Sequence, residues 1–199
     1  MKILALELSS PEGSIAWRDE DEAPFLVRFP NDRKHSGVFF ENLQSCLKRF
    51  GNPQWVVVGL GPGSYAGTRI AIACASGLVA ACGAQLTGLT SLGAMEVEAS
   101  EYAVIGDARR QSFFFARVRE RLCVEGPLLF PEAEMGERLR GLTCPLVTTQ
   151  PLPLAPDAII AQPSALILAQ ISAETSDLVT ENPLEPIYLR EPHITFPKR

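Results

Sequence analysis

The chain has 199 residues, 46% of them hydrophobic and 21% charged, and a formal net charge of −5. That length holds one large domain or two small ones, at ~150 residues per domain, and the apolar content excludes a disordered chain. The acidic balance argues against a protein that grips nucleic acid unaided, because phosphate binding needs clustered Lys and Arg, and here the basic residues are scattered, with none in a run longer than a pair such as Arg109-Arg110 or Lys198-Arg199.

The opening KILALEL reads as a strand buried on both faces. It is too short and too soon interrupted by Glu7 to be a signal peptide. A turn at Pro11-Glu12-Gly13 returns the chain into a second strand, SIAW, and FLVRF makes a third, so the first strand lies centrally in a meander. Glu7, Ser9 and Ser10 fall at the end of the first strand, where open α/β sheets place ligands. Glu7 there either holds a metal-bound water or simply ends a buried strand; the absence of a neighbouring carboxylate favours the second.

A helix over 36–50 follows, with Phe39, Phe40, Leu43, Cys46, Leu47 and Phe50 at amphipathic spacing and a Gly51-Asn52-Pro53 stop. His35 at its start is a capping or surface histidine rather than a metal ligand, since position 39, one turn on, is Phe. The strand Trp55–Val58 then runs into a glycine loop, Gly61-Pro62-Gly63-Ser64 through Gly67, and a small-residue helix over 68–82. The loop is not a Walker A, because no Lys precedes Thr68-Arg69, and its glycine spacing fails the dinucleotide fingerprint. Its glycines permit a tight turn and close backbone approach, with Arg69 at the helix surface. Between Arg69 and Glu96 no charge occurs, which raises a transmembrane reading, but Gly77, Gly83, Gln85 and Gly88 interrupt it, so a buried helix followed by a strand is expected. A helix apolar all round must be covered on more than one side, by its own chain or by a partner.

QLTGLT is a short strand, and Ser91 is placed as the cap of a short helix through Ala99. A domain boundary is set near residue 100, giving lobes 1–100 and 101–199. YAVIGD and Ser112–Val118 form a hairpin around Asp107-Ala108-Arg109-Arg110, where Asp suits a turn and the arginines face either phosphate or a partner carboxylate. The prolines at 127, 131, 145, 151, 153 and 156 predict loops and short elements. AIIA is a short strand, SALILAQISAE a helix, and PLEPIYLR an extended tail. Five cysteines without a C-x-x-C pair fit a reducing cytosol.

Taken in order, ILALELSSPEGSIAW, HSGVFFENLQSCL, VVVGLGPGSYAGTRIAIACASGLV, GLTSLGAM, GDARRQSFFFARV and PIYLR resemble the TsaB (YeaZ) family, most tightly at GPGSYAGTRI. The resemblance implies a two-lobed α/β fold of the actin, sugar kinase and Hsp70 (ASKHA, ribonuclease H-like) type with mixed sheets. It implies a cytoplasmic, non-catalytic partner of the TsaD transferase in forming N6-threonylcarbamoyladenosine at position 37 of ANN-reading tRNAs. A TsaE-like ATPase is the third component and homodimerisation an alternative assembly. Cofactors are expected to be absent from the isolated chain, with ATP or ADP only in the complex, tRNA met only through the complex, and no membrane. TsaD-type proteins carry two metal-binding histidines four apart, for which this chain offers only His35. The family's Asp-Thr after the first strand is replaced here by Glu7-Leu8. Helices 36–50 and 68–82 are expected to form the docking face, through Phe39, Leu43, Cys46, Ala71, Ala75 and Leu78, with Gly61, Pro62, Gly63, Ser64, Gly67 and Arg69 shaping the loop, and Ala75→Glu to break the complex. The alternatives are a small-molecule kinase of the same superfamily and a glycoprotease-like peptidase, the latter without any Ser-His-Asp, Cys-His or metal constellation to support it.

Overall fold

A computed structural model describes residues 1–31, 36–175 and 183–190. Its first half builds a sheet from β1 (Ile3–Glu7), β2 (Glu12–Arg18), β3 (Phe25–Pro30), β4 (Trp55–Gly59) and β5 (Gln85–Leu89), in the order β3-β2-β1-β4-β5. The hairpins β1–β2 and β2–β3 are antiparallel, whereas β4 joins β1 and β5 joins β4 in parallel. Short turns allow the first three strands to reverse. The later pairs need crossovers, which α1 (Ser36–Phe50) and α2 (Tyr65–Cys82) supply.

β1 is apolar at every position before Glu7 because the sheet is covered on both faces. Leu4 and Leu6 point to one side, with Val56, Val58 and the buried residues of α1 and α2. Ile3 and Ala5 point to the other, with Trp55 and Val57. There they meet Ala165, Leu168 and Ala169, which belong to the last helix (Ala165–Glu174).

The second sheet contains β6 (Glu101–Asp107), β7 (Ser112–Arg119), β8 (Leu122–Pro131), β9 (Leu146–Thr148) and β10 (Ile159–Ile160), ordered β10-β9-β6-β7-β8. One face buries Tyr102, Val104, Phe114 and Val118 against Leu92 and Met95 of the first lobe's last turn. The other buries Ile105 and Phe115 against Met135 of α3 (Glu132–Arg140).

Two expectations change. The 101–199 lobe is not contiguous: α4 (Ala165–Glu174) returns to the first sheet, where the Ser14 hydroxyl of β2 accepts the Ala165 amide at 2.9 Å. The proline-rich stretch holds a ten-residue strand and a helix that were not expected. β8 tolerates Pro127 because it is an edge strand. α3 is stabilised by Glu132 and Glu134 in its first turn and Arg138 and Arg140 in its last, matching the helix dipole, and it buries only Met135.

Candidate docking face and inter-lobe cleft

The glycine loop is built to launch α2. The Ser64 hydroxyl accepts the Gly67 amide at 3.2 Å as a helix cap, so α2 starts at Tyr65, three residues before the predicted start. Four further donors also point inward: Leu60 N–H to the Leu89 carbonyl, Gly61 N–H to the Ser91 hydroxyl, Ser64 N–H to the Ser9 carbonyl and Thr68 N–H to the Ser64 carbonyl. Pro62 has no amide hydrogen to offer. A Cβ on Gly63 would stand 2.0 Å from the Ser9 carbonyl, so glycine is what lets the loop close on the β1–β2 turn. These amides are spent inside the protein and are not offered to a phosphate.

Glu7 is fully buried. Its carboxylate accepts the Ser9 amide at 2.6 Å and the Ser91 hydroxyl at 2.7 Å, over a Gly59 that has no room for a side chain. Burial pushes this carboxyl above its ordinary value and outweighs the lowering by its Ser9 and Ser91 donors. Ser91 in turn accepts the Gly61 amide, so Glu7 ties β1 to the glycine loop. With its hydroxyl thus engaged, Ser91 does not cap a helix: Thr90 does, and only one 3-10 turn, Ser91–Ala94, forms where a helix to Ala99 was expected.

A cleft of about 850 Å³ separates the lobes. One wall carries Ser9, Ser10, Gly63 and Ser64, and the other Phe114, Thr149, Gln150 and the Asp107–Arg109 turn. In that turn Asp107 accepts the Arg109 amide at 2.7 Å, while Arg109, Arg110 and Gln111 take left-handed backbone angles. Glu7, buried behind the first wall with both oxygens engaged, offers no carboxylate to a metal-bound polyphosphate at the β1 end. His35 lies outside the described residues.

The expected docking residues need correction. Phe39, Leu43, Cys46, Ala71 and Ala75 are all buried in the first lobe's own core, and Leu78 is half-buried against it. They are the inner faces of α1 and α2, because the strongest apolar stripe turns toward the sheet. Cys46 is so enclosed that burial pushes its thiol up to about 11. Ala75→Glu therefore buries a charge and does not probe a surface.

What remains exposed on α2 is the opposite face: Ala66, Arg69, Ala73, Ser76, Gly77 and Ala80. Only Gly67, Thr68, Ala71 and Ala75 are buried in this 18-residue helix. By length and composition it is apolar enough to cross a membrane, yet its inner side lies on β4, β1 and β5. The outward face of α1 is polar apart from Phe40, which is 51% exposed beside a shallow hollow with Leu43 and Leu47. The sequence signal for the α2 face was the helix's lack of charge all round, but its phase was misassigned.

Residues 31–127 match the family model for TsaD, the tRNA N6-adenosine threonylcarbamoyltransferase. An uncharacterized protein of Mycobacterium leprae is 31% identical over 145 residues, 69% of this chain, and the chain spans only 38% of that protein's length. YeaZ from Pseudomonas aeruginosa superposes with a TM-score of 0.73 at 21% identity, over 94% of this chain and 99% of that one. A structure described as an uncharacterized protein with similarity to peptidase YeaZ from Pseudomonas aeruginosa superposes with a TM-score of 0.76, also at 21% identity, over 95% and 99%. The two mixed five-stranded sheets and these superpositions make the fold the two-lobed ASKHA type expected from the sequence. Residues 31–127 are thus similar to a TsaD-family domain, within a chain that has the architecture of the YeaZ structures.

Proposed function

We propose that this protein is a non-catalytic docking subunit in the formation of N6-threonylcarbamoyladenosine at position 37 of ANN-reading tRNAs, binding a TsaD-like transferase through the outward face of α2. The observation that carries this reading is α2 itself: an uncharged, small-residue helix beyond Arg69, covered on one side only by the described residues. Small side chains let another helix approach closely, and an uncharged face loses little solvation when covered. Phe40 of α1 is a further exposed apolar side chain of the same lobe. On this reading a TsaE-like ATPase joins the complex in the cytoplasm, tRNA is met only there, ATP or ADP binds only in the assembly, and a homodimer through the same face is the resting form.

The cleft supports the non-catalytic assignment. Glu7, buried behind its β1 end, is occupied by internal donors, and the Gly61, Ser64 and Gly67 amides of the adjoining loop are bonded within the protein.

The decisive test is reconstitution of TsaD-dependent tRNA modification with and without this chain. Ala73→Glu, in the centre of the exposed stripe, is expected to abolish co-purification with the transferase and to leave the melting temperature within a few degrees, as surface substitutions do at about ±0.5 kcal/mol. Modification that proceeds equally without the chain, or Ala73→Glu that still co-purifies, overturns the assignment.

A further inference from the structure

The two lobes are joined very differently on their two sides. On one side the backbone crosses twice. Glu96 N–H donates to the Gln162 carbonyl at 3.0 Å and Ser164 N–H to the Ala94 carbonyl at 2.9 Å. Across the cleft, among the described residues, the segment 184–190 makes the connection. Leu184 is buried in the first lobe's core, and the Ile187 amide donates to the Leu60 carbonyl at 2.8 Å. Leu189 lies against the second lobe's Tyr102–Phe114 cluster, and the Arg190 guanidinium donates to the Arg109 carbonyl at 3.4 Å. The strap is thus held firmly by the first lobe and lightly by the second.

Between these anchors stands Tyr188. Its ring lies 5.6 Å from that of Tyr65, the first residue of α2, at 37°. Arg69, one turn on, places its guanidinium 4.9 Å over the Tyr65 ring and donates to its hydroxyl. Both tyrosines are substantially exposed, Tyr65 at 54% and Tyr188 at 40%. Leu60, which holds the strap, also begins the loop that positions α2. One short segment therefore touches the cleft, the second lobe and the first turn of the helix whose outward face is open.

We propose that residues 184–190 form a latch across the cleft, shut when Tyr188 lies on Tyr65, and that a partner on α2 holds it shut by covering this Tyr–Tyr–Arg group. The second half of the proposal rests on the docking reading above. Exposed Tyr and Arg side chains are the types that anchor protein interfaces, and here they continue the α2 stripe at its N-terminal end. Because coupling between binding sites is reciprocal, a shut latch strengthens docking by the factor by which docking shuts the latch.

Hydrogen exchange on the full chain, alone and with a TsaD-like transferase, tests both halves with Tyr188→Ala and Tyr188→Phe. Tyr188→Ala is expected to speed exchange at the Ile187 amide and in the 107–111 turn, to leave α1 and α4 unchanged, and to weaken the complex about tenfold. Tyr188→Phe keeps the ring and is expected to match the wild type in both readouts. Complex formation is expected to slow Ile187 exchange in the wild type. Unchanged exchange in Tyr188→Ala overturns the latch, and faster exchange with undiminished docking overturns the coupling. If the wild type does not bind the transferase, the docking reading and the coupling fail together, and exchange in the isolated chain still decides the latch.

Discussion

Glu7 shows how one side chain can change the meaning of a site. It stands at the end of β1, where the sequence allowed either a metal-bound water or a plain strand end. Its two oxygens instead hold the Ser9 amide and the Ser91 hydroxyl inside the protein. Because burial raises its pKa in the folded state, its contribution to stability is fully present below the unfolded value near 4.5 and is lost as pH rises through the folded value. Glu7→Gln keeps the shape without the titration. Urea midpoints of the two proteins between about pH 4 and about pH 8 are expected to diverge in favour of the Gln variant as pH rises. Parallel curves would sink the idea that this carboxyl titrates inside the fold.

At the scale of elements, α2 has two faces with different demands. Its inner face meets the sheet through Ala71 and Ala75, whose small size lets the helix sit close to β4. Ala75→Leu adds three carbons where there is no space and is expected to cost about 1–3 kcal/mol of stability, read as a lowered denaturation midpoint. Ala80→Leu, on the outer face, is expected to cost under about 0.5 kcal/mol. Equal losses at the two positions would mean the helix phase assigned here is wrong.

The first-lobe strands, the amphipathic 36–50 helix and the glycine-loop helix were all legible, because period-2 burial and 3.6-residue spacing are local signals. The inward and outward faces of α2 were not. In a helix of Ala, Gly, Ile and Val there is no polar stripe to mark the solvent side. β8 was hidden by Pro127, and α3 by a composition so polar that only Met135 and Leu139 report its packed face. The Glu7–Ser91 contact spans 84 positions, and no local pattern encodes it.

For the molecule as a whole, the junction between lobes turns on a residue that sequence reading passed over. Arg121, at the tight turn between β7 and β8, donates to the Gly93, Met95 and Val97 carbonyls at 3.4, 2.7 and 3.3 Å. It thus fastens the second sheet to the crossover segment. Hydrogen bonds from a charged group contribute about 1.5–3 kcal/mol, so Arg121→Ala is expected to lower the melting temperature by several degrees. Amide exchange should rise at 95–101 while β1 and β4 stay protected. A uniform rise across both lobes would show instead that the lobes unfold as one unit.

The return of α4 to the first sheet has a consequence for how the protein is made. As the chain leaves the ribosome, the sheet face carrying Ile3, Ala5, Val57 and Leu89 is complete once β5 ends and Ala94 follows, but the helix that covers it arrives only with residues 165–174. The 70 residues from 95 to 164 are synthesised while that apolar face lacks this helix. The first lobe therefore lacks part of its cover until the end, and a fragment cut near residue 100 is expected to leave that face bare and to aggregate. During synthesis the second lobe is a long insertion that must fold within an unfinished first one.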